Sequence, residues 1–383
     1  MKKKFAAGES VLFVVPDYHC SFVLRDELRN LGWKSDIYVP DGFPERFLFE
    51  NTGVIRGKGC DSSHPVRLRI VAIWNFFRFL VLSAHYKYQI QYGVGVLSRT
   101  LFFERYLIKW KMVDSDFHFG LWLLRLAGKK MIYVPSGCRD EEPRSVFELL
   151  DNGNVCGNCG FSDRCNDENI EPNLRRANRF ANLSVGSGFL EPSFLTVKHI
   201  KYKSIDLNRW NSMPPKQTSN KIRVLHSHSL ETRSAGHRNI KASPLIVRVM
   251  RQIERELPHV EFVEVTGLST REMLYEQQKA DIIIDQLRYG CWGSSGVEAM
   301  ALGKVLVCYL RPEWKEFFLS NFPEHQDLPV VNATVESLYK VMVELLNDPD
   351  RISRLKKESR AFAETHYDPR TNAAELVKVL ESL

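Results

Sequence analysis

The stretch DIIIDQLRYGCWGSSGVEAMALGKVLVCYL, residues 281–310, decides the fold. Asp281 and Asp285 frame three consecutive isoleucines, a run that suits a strand covered on both faces in a parallel sheet. Gly290, Gly293 and Gly296 then break the pattern, a short helix is expected from about Ser295, and VLVCYL is the next strand. The backbone N–H groups of Ser294, Ser295, Gly296 and Val297 fall at the positive end of that helix, where a phosphate is favoured. Glu298 follows just inside it. Spacing alone leaves two roles open for this carboxylate. Ser295 and Glu298 match the Ser-x-x-Glu capping box, in which the glutamate only closes the helix end; otherwise it serves another part of the ligand, such as sugar hydroxyls.

The run Gly293, Glu298, Ala299, Met300, Ala301, Gly303 and Lys304, followed by an apolar strand, resembles the nucleotide-sugar site of GT-B glycosyltransferases. The group it is most similar to is the large one related to glycosyltransferase family four. The resemblance implies an α/β protein of two Rossmann-like domains, with parallel sheets and a cleft between them. It places Glu298 on the donor's ribose and the pyrophosphate at the helix start, with Gly293, Ser294, Ser295 and Gly296 as the turn. The implied reaction moves a sugar from a nucleotide diphosphate sugar to a hydroxyl acceptor with retention of configuration, without a catalytic metal or other cofactor. Cell-surface polysaccharide or glycoconjugate synthesis, with a lipid-linked acceptor, is the implied setting.

Composition sets bounds on the rest. At 383 residues, 44% hydrophobic and 26% charged, the chain is long enough for two domains with proper cores. Its 53 basic residues exceed 46 acidic ones to give +7, which suits an anionic ligand; the charge is not concentrated as a nucleic-acid protein requires, so nucleic acid is not expected as a partner. The basic start, residues 1–4, runs into a short polar FAAGES instead of an apolar leader, and a cytoplasmic location is expected. Residues 70–84 form the longest apolar stretch, interrupted by Asn75 and Arg78 and shorter than the roughly 20 residues that span a bilayer. With Arg67, Arg69, Trp74, Phe76, Phe77 and Phe79 this stretch is either a peripheral membrane contact facing anionic lipid or a core helix with snorkelling arginines.

The chain opens as strand (residues 11–15), helix (22–31) and strand (37–39). Its first turn, PDYHCS, has no glycine, so the dinucleotide fingerprint is absent; Tyr18, His19 and Cys20 are crevice candidates there. In DSDFHFGLWLLRLAGKKMIYVPSGC the pattern is strand, helix, strand, with His118 at a strand's carboxyl end. The family carries a histidine facing the sugar on a similar strand, and GKKMIYVPSGC resembles its strand leading to a His-Gly turn, with Ser136 in the histidine's place. His118 is therefore the acid–base or sugar-binding candidate. Cys138, Cys156, Cys159 and Cys165 supply four thiolates with a Cys-x-x-Cys pair, a structural zinc pattern; free or redox-active thiols are the alternative.

The polar, proline-bearing NSMPPKQTSN marks a domain boundary near residues 210–220. The expected division is an N-terminal acceptor-side domain over 1–210, a nucleotide-sugar domain over 211–365, and a terminal helix over 366–383 crossing back to the first domain. In the strand IRVLHSHS, His226 and His228 point to one side, which invites a metal that no nearby carboxylate completes. Arg238 and Lys241 follow on a glycine-bearing loop, where the resemblance sets an arginine and a lysine against the donor phosphates; Arg233 and His237 compete for that place. The family's motif has an earlier glutamate eight residues before Glu298, and here that position is Gly290. Either Asp285 compensates from the strand end or backbone amides hold the donor's sugar. The same departure keeps two rivals in view: an inactive GT-B subunit that binds a nucleotide sugar, and a nucleotide-sugar epimerase.

Overall fold

The computed structural model describes residues 9–40, 53–57, 65–93, 102–150, 154–157, 159, 165–186, 195–211, 221–228 and 240–383. Two all-parallel sheets organise it. The first has seven strands in the order β3-β2-β1-β4-β5-β6-β7: β1 (Ser10–Val14), β2 (Lys34–Val39), β3 (Val54–Arg56), β4 (Tyr88–Tyr92), β5 (Lys130–Val134), β6 (Leu183–Gly186) and β7 (Val197–His199). The second has five, in the order β12-β11-β10-β8-β9: β8 (Ile222–His228), β9 (Val260–Thr266), β10 (Ile282–Ile284), β11 (Val305–Cys308) and β12 (Val330–Asn332). The parallel sheet expected from the isoleucine run is present, and so is the architecture the resemblance implies, two Rossmann-like domains with a cleft between their sheets.

Strand alternation explains why that run is unbroken. Ile283 packs into one core with Leu225, Leu306 and Cys308, while Ile282 and Ile284 pack into another with Val224, Val305 and Val307 on the opposite face. In the first sheet Val11 and Phe13 of β1 face one core and Leu12 and Val14 the other. Helices α1 (Tyr18–Asn30) and α13 (Pro369–Glu381) cover one side of the first sheet; Ala373, Leu376, Val377, Val379 and Leu380 of the last helix join the core of the first domain. The chain thus crosses back at its end.

Helix α2 (Pro65–Ala84) buries Phe79 and Ser83, and its Phe76 lies close against Gly120 of α4 (Phe119–Leu126). Its other side faces outward. Val66, Ile70, Trp74, Phe77 and Val81, spaced by three or four residues, form one stripe that is 52–64% exposed, so only the opposite face of α2, with Phe79, joins a core. Among the described residues no helix is long and apolar enough to cross a membrane.

Two local expectations change. Residues 114–118 do not form a strand: after α3 (Phe102–Lys109), the N–H of Phe117 turns back to the Asp114 carbonyl and His118 becomes the N-cap of α4. Helix α9 begins at Ser294, with Gly293 as its N-cap and no side chain closing it, so the capping box of Ser295 and Glu298 does not form. Glu298 is left for other work. Arg238, its competitors Arg233 and His237, and the linker 212–220 lie outside the described residues.

Candidate functional site

Parallel neighbours deliver their following loops to one edge, and β8 pairs directly with β10. The loop after β8 carries Lys241 and the turn after β10 carries Asp285 and Gly293. Lys241 Nζ stands 3.0 Å from Asp285 Oδ1, and it donates to the Ser227 carbonyl at 3.0 Å and to Ser295 Oγ at 3.2 Å. Asp285, fully buried, also accepts the Gly293 N–H at 2.6 Å on its other oxygen. The lysine, the carboxylate, the glycine turn and the start of α9 (Ser294–Ala301) therefore meet at one place.

The helix start is partly occupied by its own backbone. The N–H groups of Gly296 and Val297 donate to the Gly293 carbonyl at 3.0 and 3.3 Å, so the amides at the head of the helix are those of Ser294 and Ser295, beside the Lys241 ammonium. Gly296 is a glycine because Trp292 folds over it: a Cβ there would stand 2.7 Å from the Trp292 Cβ. Trp292 in turn donates its indole N–H to the Tyr367 hydroxyl at 2.9 Å and packs against Trp314, Phe318 and Phe362, which anchors the turn.

Glu298 points across the cleft. Its Oε2 accepts from Gln277 Nε2 at 2.6 Å, and its Oε1 lies 3.5 Å from Nδ1 of His19, which arrives from the first domain on α1 and packs on Trp210. Burial pushes the Glu298 carboxyl up to about 7, against the pull of Gln277 and Lys241 and with some help from Asp285. Burial likewise presses the His19 imidazole down to about 4. The ring is neutral at pH 7. Beside it, Lys203 is ion-paired with the buried Asp17, a pair that sequence reasoning passed over because the two residues lie at opposite ends of the first domain.

A scan against protein-family models and a search of curated proteins each return no match. Solved structures do match. The sucrose-phosphate synthase of Thermosynechococcus elongatus superposes with a TM-score of 0.61 at 12% sequence identity, over 98% of each chain. Anabaena HepE in complex with UDP and glucose gives 0.55 at 12% identity, over 98% of this chain and 100% of that one. The pneumococcal O-GlcNAc transferase GtfA in complex with UDP and GlcNAc gives 0.56 at 9% identity, over 98% and 99%. The fold is GT-B.

On this GT-B frame Gly290 has a conformational cause. Its φ of +96° is a left-handed backbone, and a Cβ would sit 3.0 Å from both Cβ and Cζ of Arg311. Arg311 is buried there, donating to the Tyr289 carbonyl at 3.2 Å. A carboxylate does reach this turn, from the other domain: Glu141 accepts the Tyr289 hydroxyl at 2.7 Å, and burial raises its carboxyl to about 7.

His118, at the first domain's α4, has a structural task. It is 2% exposed and its Nδ1 accepts the Leu121 N–H at 3.4 Å. His118→Ala is expected to lower stability by on the order of 1 kcal/mol through loss of the cap, with turnover retained, read by denaturant unfolding beside single-turnover assays. A turnover loss above about tenfold at unchanged donor affinity would instead put the imidazole on the sugar. His226 and His228 lie on one side as expected, their rings 5.7 Å apart, but their nitrogens are used within the fold: His226 with the Ile284 carbonyl and Ser243 Oγ, both at 2.9 Å, and His228 with Glu264 at 2.9 Å.

Cys138, Cys156, Cys159 and Cys165 form no disulfide, and burial, then the neighbouring Cys138, push the Cys156 thiol up to about 12. Among the described residues, the group whose ligand atoms all lie within 4.8 Å of one another is a different one, Glu324, His325 and His366. These three residues could coordinate a metal.

Proposed function

We propose that the protein is a glycosyltransferase that moves a sugar from a nucleotide diphosphate sugar to a hydroxyl acceptor, with retention, in cell-surface polysaccharide or glycoconjugate synthesis on the cytoplasmic side of the membrane. The observation that carries this is the convergence of Lys241, Asp285, Ser295 and Gly293 at the edge of the second sheet, with Glu298 beside them. Lys241, and Arg238 on the same loop, neutralise the leaving diphosphate; the Ser294 to Gly296 turn holds it; Glu298 takes the ribose hydroxyls. Charge developing on the leaving group then meets fixed donors, which is electrostatic stabilisation with no catalytic metal required. A structural zinc at the four cysteines belongs to the same proposal. Purified protein incubated with a panel of radiolabelled nucleotide sugars tests the core of it: transfer, or slow donor hydrolysis, supports it, and neither turnover nor nucleotide binding sinks it.

Gly290 favours a second reading, a subunit that binds a nucleotide sugar without transferring it, because the position of the family's earlier glutamate cannot carry a side chain without rearrangement. Nucleotide binding with no transfer to any acceptor would select it.

The acceptor side of the proposal is a lipid-linked substrate met at a membrane surface. The exposed stripe of α2 is flanked by the exposed Arg67, Arg69 and Arg78, and the helix contains no acidic residue. Trp110 and Met112 after α3 are exposed too, 66% and 67%, with Lys109 and Lys111 beside them in sequence. Apolar stripe, flanking arginines and exposed tryptophans suit a helix lying in the interface of an anionic bilayer. The full chain is expected to sediment with vesicles containing phosphatidylglycerol and much less with phosphatidylcholine alone; Trp74→Ser with Phe77→Ser should cut binding more than about tenfold. Unchanged sedimentation of that variant removes the membrane contact.

A further inference from the structure

Glu324 and His325 lie in the loop after α10 (Pro312–Asn321), and His366 is the last residue of α12 (Pro349–His366), just before the chain crosses to the first domain as α13. His325 Nε2 is 3.1 Å from His366 Nδ1 and 3.7 Å from Glu324 Oε1. Ligand atoms bound at 2.0–2.1 Å to one tetrahedral ion stand roughly 3.3 Å apart. His325 is thus already near that spacing from both the other ligands, and the three ligand atoms all lie within 4.8 Å of one another. Their rings are held: His325 packs against Phe362 at 4.4 Å between centroids, and His366 against Phe322 at 4.7 Å and Phe318 at 5.0 Å. His366 also lines a pocket with Trp292, Phe318, Tyr367, His199 and Lys203, between the first domain's tail and the donor-site turn.

We propose that Glu324, His325 and His366 form a site for one divalent transition-metal ion that fastens the α12–α13 crossover to the loop after α10. Two neutral imidazoles and a carboxylate favour zinc, cobalt or nickel over magnesium or calcium. The histidines hydrogen-bond each other, and Lys201, from the first domain, places its ammonium 2.5 Å from Glu324 Oε1. That ammonium occupies the carboxylate a dication would take, so metal binding releases Lys201 and with it one link between the first domain and this loop. Metal occupancy and the Lys201 ion pair are alternatives at one oxygen.

Cobalt titration of the full-length, chelator-stripped chain tests the site, because histidine and carboxylate ligands give visible d–d bands without the near-ultraviolet sulfur-to-cobalt band that a cysteine site produces. One equivalent of cobalt with sulfur-free d–d bands is expected in addition to any taken by the four cysteines, whose near-ultraviolet band marks it separately. His325→Ala and Glu324→Gln should each weaken that equivalent by about tenfold or more, and Lys201→Met should tighten it severalfold by removing the competing cation. Zinc should raise the melting temperature of the wild type by more than that of His325→Ala, whose melting temperature before zinc is added serves as the folding control. A sulfur-free cobalt signal that is absent, that survives both ligand variants, or that does not strengthen in Lys201→Met overturns the proposal.

Discussion

Lys241→Ala slows sugar transfer by on the order of 2–4 kcal/mol in kcat/KM, roughly 30-fold to 1000-fold, because it removes a fixed donor aimed at leaving-group charge. The variant also takes the counter-ion from Asp285, which is 0% exposed, and an unpaired buried carboxylate costs up to about 3 kcal/mol of stability on its own. The double variant Lys241→Ala, Asp285→Asn separates the two effects: it should regain most of the lost stability and none of the transfer. Calorimetry supplies the ligand side. Lys241→Ala should weaken nucleoside diphosphate and inorganic diphosphate alike, whereas Glu298→Gln should weaken the nucleoside diphosphate and spare inorganic diphosphate. If both variants bind the nucleotide like wild type, the donor site is elsewhere and the assignment of this edge fails.

Restoring the glutamate that the family carries at position 290 is expected to damage the protein. Gly290→Glu forces a side chain onto a left-handed backbone, about 1–2 kcal/mol, and drives its Cβ against Arg311 in a buried contact, about 1–3 kcal/mol more. Gly290→Ala bears the backbone cost and most of the overlap, so both should unfold at clearly lower denaturant than wild type. Glutamate has one compensation alanine lacks, since its carboxylate can pair with the displaced guanidinium, and the difference between the two variants measures that pairing. A Gly290→Glu protein as stable as wild type would mean that the turn adapts and that glycine at this position has no conformational cause.

The donor edge was legible in the sequence to the extent that it is local. Ile282 to Ile284 announce a strand buried on both faces, and three glycines within seven residues announce a turn that returns to a helix, since each depends on neighbours a few residues away. The parallel class follows from these alone, and with it the meeting of Lys241 with the turn after β10, because adjacent parallel strands share an edge. The capping box shows the boundary of such reasoning. Ser-x-x-Glu spacing is present, but the helix starts one residue earlier, and the glutamate turns toward Gln277 and His19. The N-cap is Gly293, two residues before Ser295, so the spacing that would close the helix end instead leaves Glu298 free for partners from other elements.

Amphipathic periodicity in α2 likewise told that an apolar stripe exists, and not whether anything covers it. Covering is a property of the other elements, and here Phe79 turns to the core while Trp74 and Phe77 turn out.

What the sequence determined by itself was therefore the class of the fold and the sheet edge at which Lys241 meets the turn after β10, both set by hydrophobic alternation and by backbone freedom at glycine. What only the tertiary structure decided was the set of long-range partners: His19 on Glu298, Glu141 on Tyr289 and Lys201 on Glu324 across the domains, and His366 brought to His325 within the second. Each joins side chains from separate elements of the chain. Their meeting depends on how two independently formed cores dock and where α13 returns, and that geometry is a sum over many packed contacts that no short window of residues contains.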